Sequence, residues 1–264
     1  MWAMNALIRA GALALALLLA GCGDGDETVP SIAAPVPAIP APGNGDWTRI
    51  VATTAEGGFR VGNPDAPVQL VEYASLTCPH CAKFSRQATG PLMQLVKSGH
   101  LSWEFRHYLL FPTDPPASLL ARCAGPGQFF PLTERLFAEQ SDWSDKLESV
   151  SSAELERIRA LPPKQQAAAM VKSAGLDALL RQSGVPQTQI DACLADERGL
   201  EQLEALTRNA RSRDIRKTPT FLINGSIVPE EGGWSALRPQ LQRALSTRGG
   251  ASPGGAAIAA ERKP

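Results

Sequence analysis

The sequence has no excess of either charge, few histidines and few cysteines. Lysine plus arginine and aspartate plus glutamate both number 26 among 264 residues, so the chain lacks the basic surplus with which proteins bind nucleic acid. There are three histidines and five cysteines, and only Cys78 and Cys81 form a CxxC pair. Structural zinc usually takes four such ligands in two pairs, so this composition argues against a zinc site.

The amino-terminal apolar run is too short to span a bilayer comfortably. It reads AGALALALLLA, follows the positive charge of Arg9 and is typical of a secretion signal, which we assign to residues 1–21. Leu19-Ala20-Gly21-Cys22 resembles the lipobox of bacterial lipoproteins, in which the leader is removed and the cysteine is lipidated. We therefore expect lipidation of Cys22; the alternative is an ordinary leader with an incidental cysteine.

Residues 22–46 and 248–264 have no periodic apolar face. Both are rich in glycine, proline and alanine, a composition typical of extended or disordered segments. We expect residues 22–46 to tether the folded part to a membrane and residues 248–264 to form a disordered tail.

Export would place the folded part in an oxidising compartment, where cysteines pair. Four cysteines remain after Cys22, and they allow three pairings.

The first part of the folded region, residues 47–112, shows a strand, helix, strand pattern. A short hairpin around Gly57-Gly58 comes first, followed by the apolar strand APVQLVEYASLT. A helix should begin at the CPHC tetrapeptide, and Pro91 should kink or interrupt it. A second strand follows in HLSWEFRHYLLF. This order favours a βαβ unit with a parallel sheet.

The rest of the folded region contains a helical part, followed by a part with strands and a closing helix. Residues 113–213 show helical spacing broken by proline and glycine, which predicts an all-helical insertion. Residues 214–247 return to strands in TPTFLINGSIVP, where Asn224-Gly225 is a strong signal for a two-residue hairpin turn. A closing helix in GWSALRPQLQRALS completes the pattern.

The spacing of Cys78 and Cys81 leaves three roles open: ligands of a metal ion, a structural disulfide or a reactive disulfide. By the loop-entropy relation, a bridge between them would stabilise the fold by only about 2 kcal/mol before strain, whereas one from Cys123 to Cys193 would contribute about 4.4 kcal/mol. The short bridge would therefore stabilise the fold poorly. Residues i and i+3 of a helix share a face, which brings the two sulfurs within bonding range. The position of the pair favours a bridge that is made and broken.

The predicted helix start sets the chemistry of Cys78. Unpaired backbone N–H groups and the positive end of the helix dipole stabilise a thiolate there, and His80 can add a donor or a positive charge. We expect a lowered pKa for Cys78 and a more ordinary thiol at Cys81, one turn further into the helix. Each unit of pKa depression favours the reduced form by about 1.4 kcal/mol, so the pair should be oxidising.

Three features together resemble the DsbA family of thiol:disulfide oxidoreductases over roughly residues 47–246. They are EYASLTCPHCAKF after a strand, a long helical middle, and KTPTFLING. The resemblance implies an α/β class, with a thioredoxin-like fold that carries an inserted helical subdomain. It makes Cys78 the nucleophile and Cys81 the resolving thiol, and it makes Pro79 and His80 the residues that tune them.

The resemblance also assigns roles to residues around the pair. Pro219 becomes a cis-proline that faces the disulfide, and Thr218 presents backbone groups to an extended substrate peptide. Lys217 departs from the family pattern, in which glycine is frequent, and so alters the charge or reach of the substrate groove. Glu72 becomes a buried acid that relays protons to Cys81; a structural ion pair on the strand is the alternative.

The remaining expectations concern the second cysteine pair, the partners and the location. Cys123 and Cys193 lie on helical segments able to pack face to face, and we expect a structural disulfide, as in one branch of the family; two buried free thiols are the alternative. The resemblance implies no metal and no organic cofactor. It implies reduced exported proteins as substrates, a DsbB-like quinone-linked membrane oxidase for reoxidation, and a lipid-anchored periplasmic location. A reductase or isomerase kept reduced by a partner, and a chaperone or binding lipoprotein with an inert disulfide, remain open.

Overall fold

The computed structural model describes residues 37–229 and 233–248. The predicted leader, Cys22 and nearly all of the predicted tail lie outside these ranges. The described strands are β1 (Val51–Thr53), β2 (Phe59–Gly62), β3 (Val68–Ala74), β4 (Leu101–His107), β5 (Thr220–Ile223) and β6 (Ser226–Ile227). The described α-helices are α1 (Pro79–Lys97), α2 (Asp114–Arg122), α3 (Pro126–Ala138), α4 (Gln140–Glu148), α5 (Ser152–Arg159), α6 (Pro163–Ala174), α7 (Leu176–Gln182), α8 (Gln187–Leu194), α9 (Glu197–Ser212) and α10 (Trp234–Arg248).

The strands form one mixed sheet in the order β1-β2-β4-β3-β5-β6. β3 and β4 are parallel and are joined by α1, as the strand, helix, strand pattern predicts. Every other neighbouring pair is antiparallel, so the expected parallel sheet is limited to this one pair. Short hairpins account for two of these pairs, β1–β2 and β5–β6, because a tight turn can join only antiparallel strands. One such turn joins β5 to β6, where Asn224 and Gly225 have φ of 50° and 83°.

Helix α1 runs unbroken from Pro79 to Lys97, so Pro91 does not interrupt it, and the kink expected as the alternative stays a prediction. Proline removes one backbone hydrogen bond from a helix interior. Here Ala88, Leu92 and Val96 are buried on the face that packs on the core. The packing on both sides of Pro91 holds the helix together across the missing bond.

Helices cover both faces of the sheet. The larger core includes Phe59 of β2, Phe105 of β4 and Phe129 of α3, whose rings are in contact. On the other face, Tyr73 of β3 packs in a smaller cluster with Ala210 of α9. Helices α2 to α9 lie between β4 and β5 in the sequence, and α2 contacts α3, α6, α8 and α9. The insertion is therefore built around α2.

The segment before β1 packs against the end of α1. The backbone N–H of Ile39 donates to the carbonyl of Ser98 (2.9 Å), and the buried indole of Trp47 donates to the carbonyl of Ile39 (2.8 Å). The last residues of the predicted tether thus contact the fold. A buried indole N–H needs an acceptor, and this segment supplies one. No helix in the described ranges is long and apolar enough to cross a membrane.

Candidate active site

Cys78 occupies the N-cap of α1, directly after the loop that leaves β3. Its backbone is extended (φ −82°, ψ 118°), and Pro79 follows as the first helical residue, a position where its missing N–H costs nothing. Hydrogen bonding by the Cys81 thiol, together with the backbone N–H groups of Cys81 and His80, lowers the pKa of Cys78 from its ordinary 9.0 to about 5, against the opposing effect of burial. His80 therefore contributes through its backbone, while its side chain lies exposed.

Cys81 lies one turn further along α1 and is completely buried. Burial, followed by the hydrogen bond and the negative charge of Cys78, raises its pKa well above the ordinary value. The sequence predicts a pKa closer to the ordinary value for Cys81, and the complete desolvation of this sulfur accounts for the difference. The two thiols of the pair are thus displaced in opposite directions. At neutral pH, Cys78 is a thiolate and Cys81 holds its proton.

Glu72 lies in the middle of β3 and is 1% exposed. Phe105 and Phe221 are its partners on the neighbouring strands, and the indole Nε1 of Trp103 donates to its Oε2 (3.1 Å). Its charge is among the causes of the raised pKa of Cys81, which places the two groups within electrostatic reach. The structure thus brings the expected acid close to the expected resolving thiol.

A small cavity adjoins Glu72 between α1 and α3. It measures about 10 Å³, at the lower limit for one water molecule. Ser85, Thr89 and Thr133 line it with hydroxyl groups, and Thr133 Oγ1 has no hydrogen-bond partner among the described residues. The carboxyl group therefore faces a polar space as well as aromatic rings.

The loop before β5 lies against Cys78. The Thr218-Pro219 peptide bond is cis, and the carbonyl oxygen of Thr218 is 3.4 Å from Cys78 Sγ. The hydroxyl of Thr220 donates to the carbonyl of Lys217 (2.7 Å), which fixes the loop. Lys217 and Pro219 line a groove of about 180 Å³ beside it, and the Lys217 side chain is exposed.

A second groove is lined by residues from the loop before α2, from α4 and from α6. It measures about 350 Å³, and apolar side chains line much of it: Phe111, Trp143, Leu147 and Met170. Thr77, directly before Cys78, forms one of its walls. Phe111 is 56% exposed, which is unusual for a ring of this size. The first groove is therefore lined by the neighbours of Thr218, and the second by the residue directly before Cys78.

Two buried polar residues at this site were not identified from the sequence. Asp114 and Gln140, the first residues of α2 and α4, both hydrogen-bond to the segment that precedes α1. An acid in the first turn of a helix is the ordinary pattern for any helix, so Asp114 gave no distinctive signal. Gln140 is separated from its partners by more than 60 residues, and no local pattern indicates such a contact.

Cys123 and Cys193 are joined by a disulfide with a Cα–Cα distance of 5.6 Å. The bridge links the carboxyl end of α2 to α8, whereas Asp114, which contacts the segment before α1, lies at the opposite end of α2. Within residues 37–229 and 233–248, no group of three or more His, Cys, Asp or Glu side chains is arranged to hold a metal ion.

Comparison with known proteins relates this chain to thioredoxin and to protein-disulfide enzymes. The family model described as thioredoxin matches residues 54–243. A solved structure, that of a protein-disulfide isomerase from Novosphingobium aromaticivorans, is 29% identical, superposes with a TM-score of 0.66, and is matched over 70% of this chain and 96% of its own.

Two curated relatives extend the comparison. A putative protein-disulfide oxidoreductase of Rickettsia bellii (strain RML369-C) is 28% identical over 193 residues, which cover 72% of this chain and 65% of the relative. A Na(+)/H(+) antiporter NhaA 1 of Mycobacterium sp. (strain KMS) is 29% identical over 192 residues, but these cover only 25% of the antiporter. The chain therefore spans less than two thirds of the length of these relatives.

Proposed function

Because this chain belongs to the thioredoxin family, we propose that it is a thiol:disulfide oxidoreductase that introduces disulfides into exported proteins through Cys78 and Cys81. The observation that carries the proposal is the opposite displacement of the two pKa values. A stabilised Cys78 thiolate favours the reduced pair, and a pair that prefers to be reduced oxidises its client.

The first step is attack on the oxidised pair by a client thiolate. The client sulfur bonds to Cys78 Sγ, the bond to Cys81 breaks, and Cys81 departs with the electron pair. Because the pKa of Cys81 is raised, the departing sulfur takes up a proton, and we assign the relay of that proton to Glu72, whose charge acts on Cys81. Attack at Cys78 rather than Cys81 follows from access, since Cys81 is completely buried.

The second step releases the oxidised client. A second client thiolate attacks the client sulfur of the mixed disulfide, and Cys78 departs as a thiolate. Its lowered pKa makes it a good leaving group. The client gains one disulfide, and the protein is left with two reduced cysteines. A DsbB-like quinone-linked membrane oxidase would accept these two electrons.

The two grooves suit clients that are still unfolded. The carbonyl of Thr218 is available beside Cys78 for main-chain pairing with an extended peptide, which tolerates many sequences. The apolar groove with exposed Phe111 suits a hydrophobic client side chain, and such side chains are accessible only before the client has folded.

The proposed location is the periplasm, with a lipid anchor at Cys22. The Cys123–Cys193 disulfide supports it, since such bridges persist in oxidising compartments. Detergent phase partitioning tests the anchor: the full chain should enter the detergent phase, and Cys22→Ser should move to the aqueous phase. Equal partitioning of both proteins would contradict lipidation.

A second candidate function is disulfide isomerisation, which the name of the Novosphingobium structure favours. An isomerase works from the reduced pair and needs a partner that keeps it reduced. Recovery of a client with scrambled disulfides only when the pair is reduced would support this candidate.

The equilibrium of the pair with glutathione decides between these directions. An oxidase should show a potential near the roughly −120 mV of DsbA, whereas a value near the roughly −270 mV of thioredoxin would indicate a reductase. The oxidised protein should also refold a reduced client in the absence of other oxidants. Cys78→Ser should be inactive, and Cys81→Ser should accumulate the mixed disulfide. A low potential with activity only in insulin reduction would overturn the proposal.

A further inference from the structure

The segment Ser75–Cys78 turns between β3 and α1, and its conformation determines where the Cys78 sulfur lies. The Cys78 N–H donates to the Ser75 carbonyl (3.2 Å), and the Cys78 carbonyl accepts the first hydrogen bond of α1 from Ala82 (3.1 Å). One turn of backbone therefore connects the sheet to the helix. Side chains from the helical insertion contact all four of its residues.

Asp114 binds the donors of this segment. It is fully buried, and its two oxygens accept from the Ser75 hydroxyl (2.8 and 3.0 Å), the Thr77 N–H (3.2 Å) and the Thr77 hydroxyl (2.9 Å). It also accepts from the N–H groups of Leu110 (2.7 Å) and Phe111 (3.0 Å). One carboxylate thus ties the turn before Cys78 to the loop that carries the exposed ring of Phe111.

Gln140 binds the acceptors of the same segment. Its buried amide Nε2 donates to the carbonyl of Leu76 (2.6 Å) and to the carbonyl of Cys78 itself (3.1 Å). Asp114 contacts residues 75 and 77, and Gln140 contacts residues 76 and 78. The carboxylate accepts and the amide donates, so the two side chains satisfy complementary halves of one turn.

The sulfur of Cys78 depends on this arrangement. The N–H groups of His80 and Cys81 stabilise its negative charge, and they do so only while the Cys78 backbone keeps the extended N-cap conformation. The geometry points to Asp114 and Gln140 as positioning residues through which the helical insertion holds Cys78 in its reactive conformation. This inference concerns the dithiol chemistry alone, and it holds whether the pair acts as an oxidase or as an isomerase.

The test on the Gln140 side is Gln140→Leu, which removes both N–H donors and keeps a side chain of similar size. Loss of one net hydrogen bond to the charged thiolate corresponds to a pKa rise of about one to two units for Cys78. The equilibrium constant for reduction of the pair by glutathione should then fall by roughly tenfold to a hundredfold. Thiolate absorbance of the reduced protein and glutathione titration measure these two quantities.

The matched control is Gln166→Leu. The amide of Gln166 also donates to two carbonyls, those of Arg159 (3.1 Å) and Leu161 (2.7 Å), but its partners belong to α5 and the loop after it. This variant should lose stability to unfolding and leave the pKa of Cys78 and the glutathione equilibrium unchanged. A purely structural role for Gln140 would give the same pattern in Gln140→Leu.

The test on the Asp114 side uses Thr77, since a change at a fully buried carboxylate threatens folding itself. Thr77→Val removes the hydroxyl that donates to Asp114 and keeps the shape of the side chain, whereas Thr77→Ser keeps the hydroxyl. Thr77→Val should raise the pKa of Cys78 and lower the glutathione equilibrium constant, and Thr77→Ser should stay near the unmodified protein. Unmodified values in both Gln140→Leu and Thr77→Val, whatever their stability, would overturn the inference. Failure of the proposed function would appear separately, in the potential of the unmodified protein.

Discussion

A titration of Cys78 tests the proposed chemistry most directly. At pH 7, a thiol with the ordinary pKa of 9.0 is ionised to about 1%, whereas one with a pKa of about 5 is ionised to about 99%. Because the folded pKa is the lower one, ionisation stabilises the folded reduced protein in full above pH 9, and the effect is lost as the pH falls through 5. At about 1.36 kcal/mol per unit, it amounts to about 3 kcal/mol at pH 7 and about 5 kcal/mol above pH 9.

The oxidised protein has no such thiolate, and the short bridge supplies it with only about 2 kcal/mol of loop entropy. The two effects become equal between about pH 6 and 7, so the reduced protein should be the more stable form above that range and the less stable form below it. Denaturant unfolding of both forms between pH 5 and 9 measures the crossing.

The ultraviolet absorbance of the thiolate should show a transition with a midpoint near pH 5. Cys78→Ser should abolish this transition, and Cys81→Ala should move it to higher pH because the largest stabilising contact is lost. A midpoint near 9, together with an oxidised form that remains the more stable one at pH 9, would refute the reasoning.

Three further predictions concern the acid, a buried histidine and the second bridge. Glu72→Gln removes a charge that raises the pKa of Cys81, so the pH profile of thiol exchange should change in stopped-flow measurements; an identical profile would remove Glu72 from the mechanism. His107 is completely buried, neither ring nitrogen has a hydrogen-bond partner among the described residues, and burial lowers its pKa well below 6.5. The unfolded chain therefore binds a proton that the folded protein excludes, and the free energy of unfolding should fall between pH 7 and 5. His107→Leu should lack this part of the pH dependence in denaturant unfolding, and parallel curves for the two proteins would contradict it. Changing both Cys123 and Cys193 to Ala should lower the free energy of unfolding by up to about 4.4 kcal/mol for a sequence separation of 70, with the glutathione equilibrium of the other pair as the control that should not move.

Much of the fold follows from local patterns. The apolar run of β3, the CPHC tetrapeptide at the start of α1 and the Asn224-Gly225 turn each determine their own structure within a few residues, and the structure has all three elements where the sequence predicts them. Pro91 shows the limit of this reasoning, because long-range packing on either side of it outweighs a local preference.

The site divides in the same way. Its chemistry at Cys78 was predictable, since a helix N-terminus and the i, i+3 spacing of two thiols are properties of one turn of chain. Asp114 lies 37 to 39 residues from its partners in the turn before Cys78, Gln140 lies 62 to 64 residues from its own, and Thr218 lies 140 residues from Cys78. No periodic pattern in the sequence indicates contacts between residues so far apart along the chain.

By itself, then, the sequence determined that two cysteines would share the first turn of a helix and that the outer one would ionise easily. Only the tertiary structure decided how completely Cys81 is desolvated and which side chains reach Cys78 from the insertion. The physical reason is range: backbone dipoles and hydrogen bonds act within a turn of chain, whereas burial and contacts between distant segments exist only once the whole chain has packed.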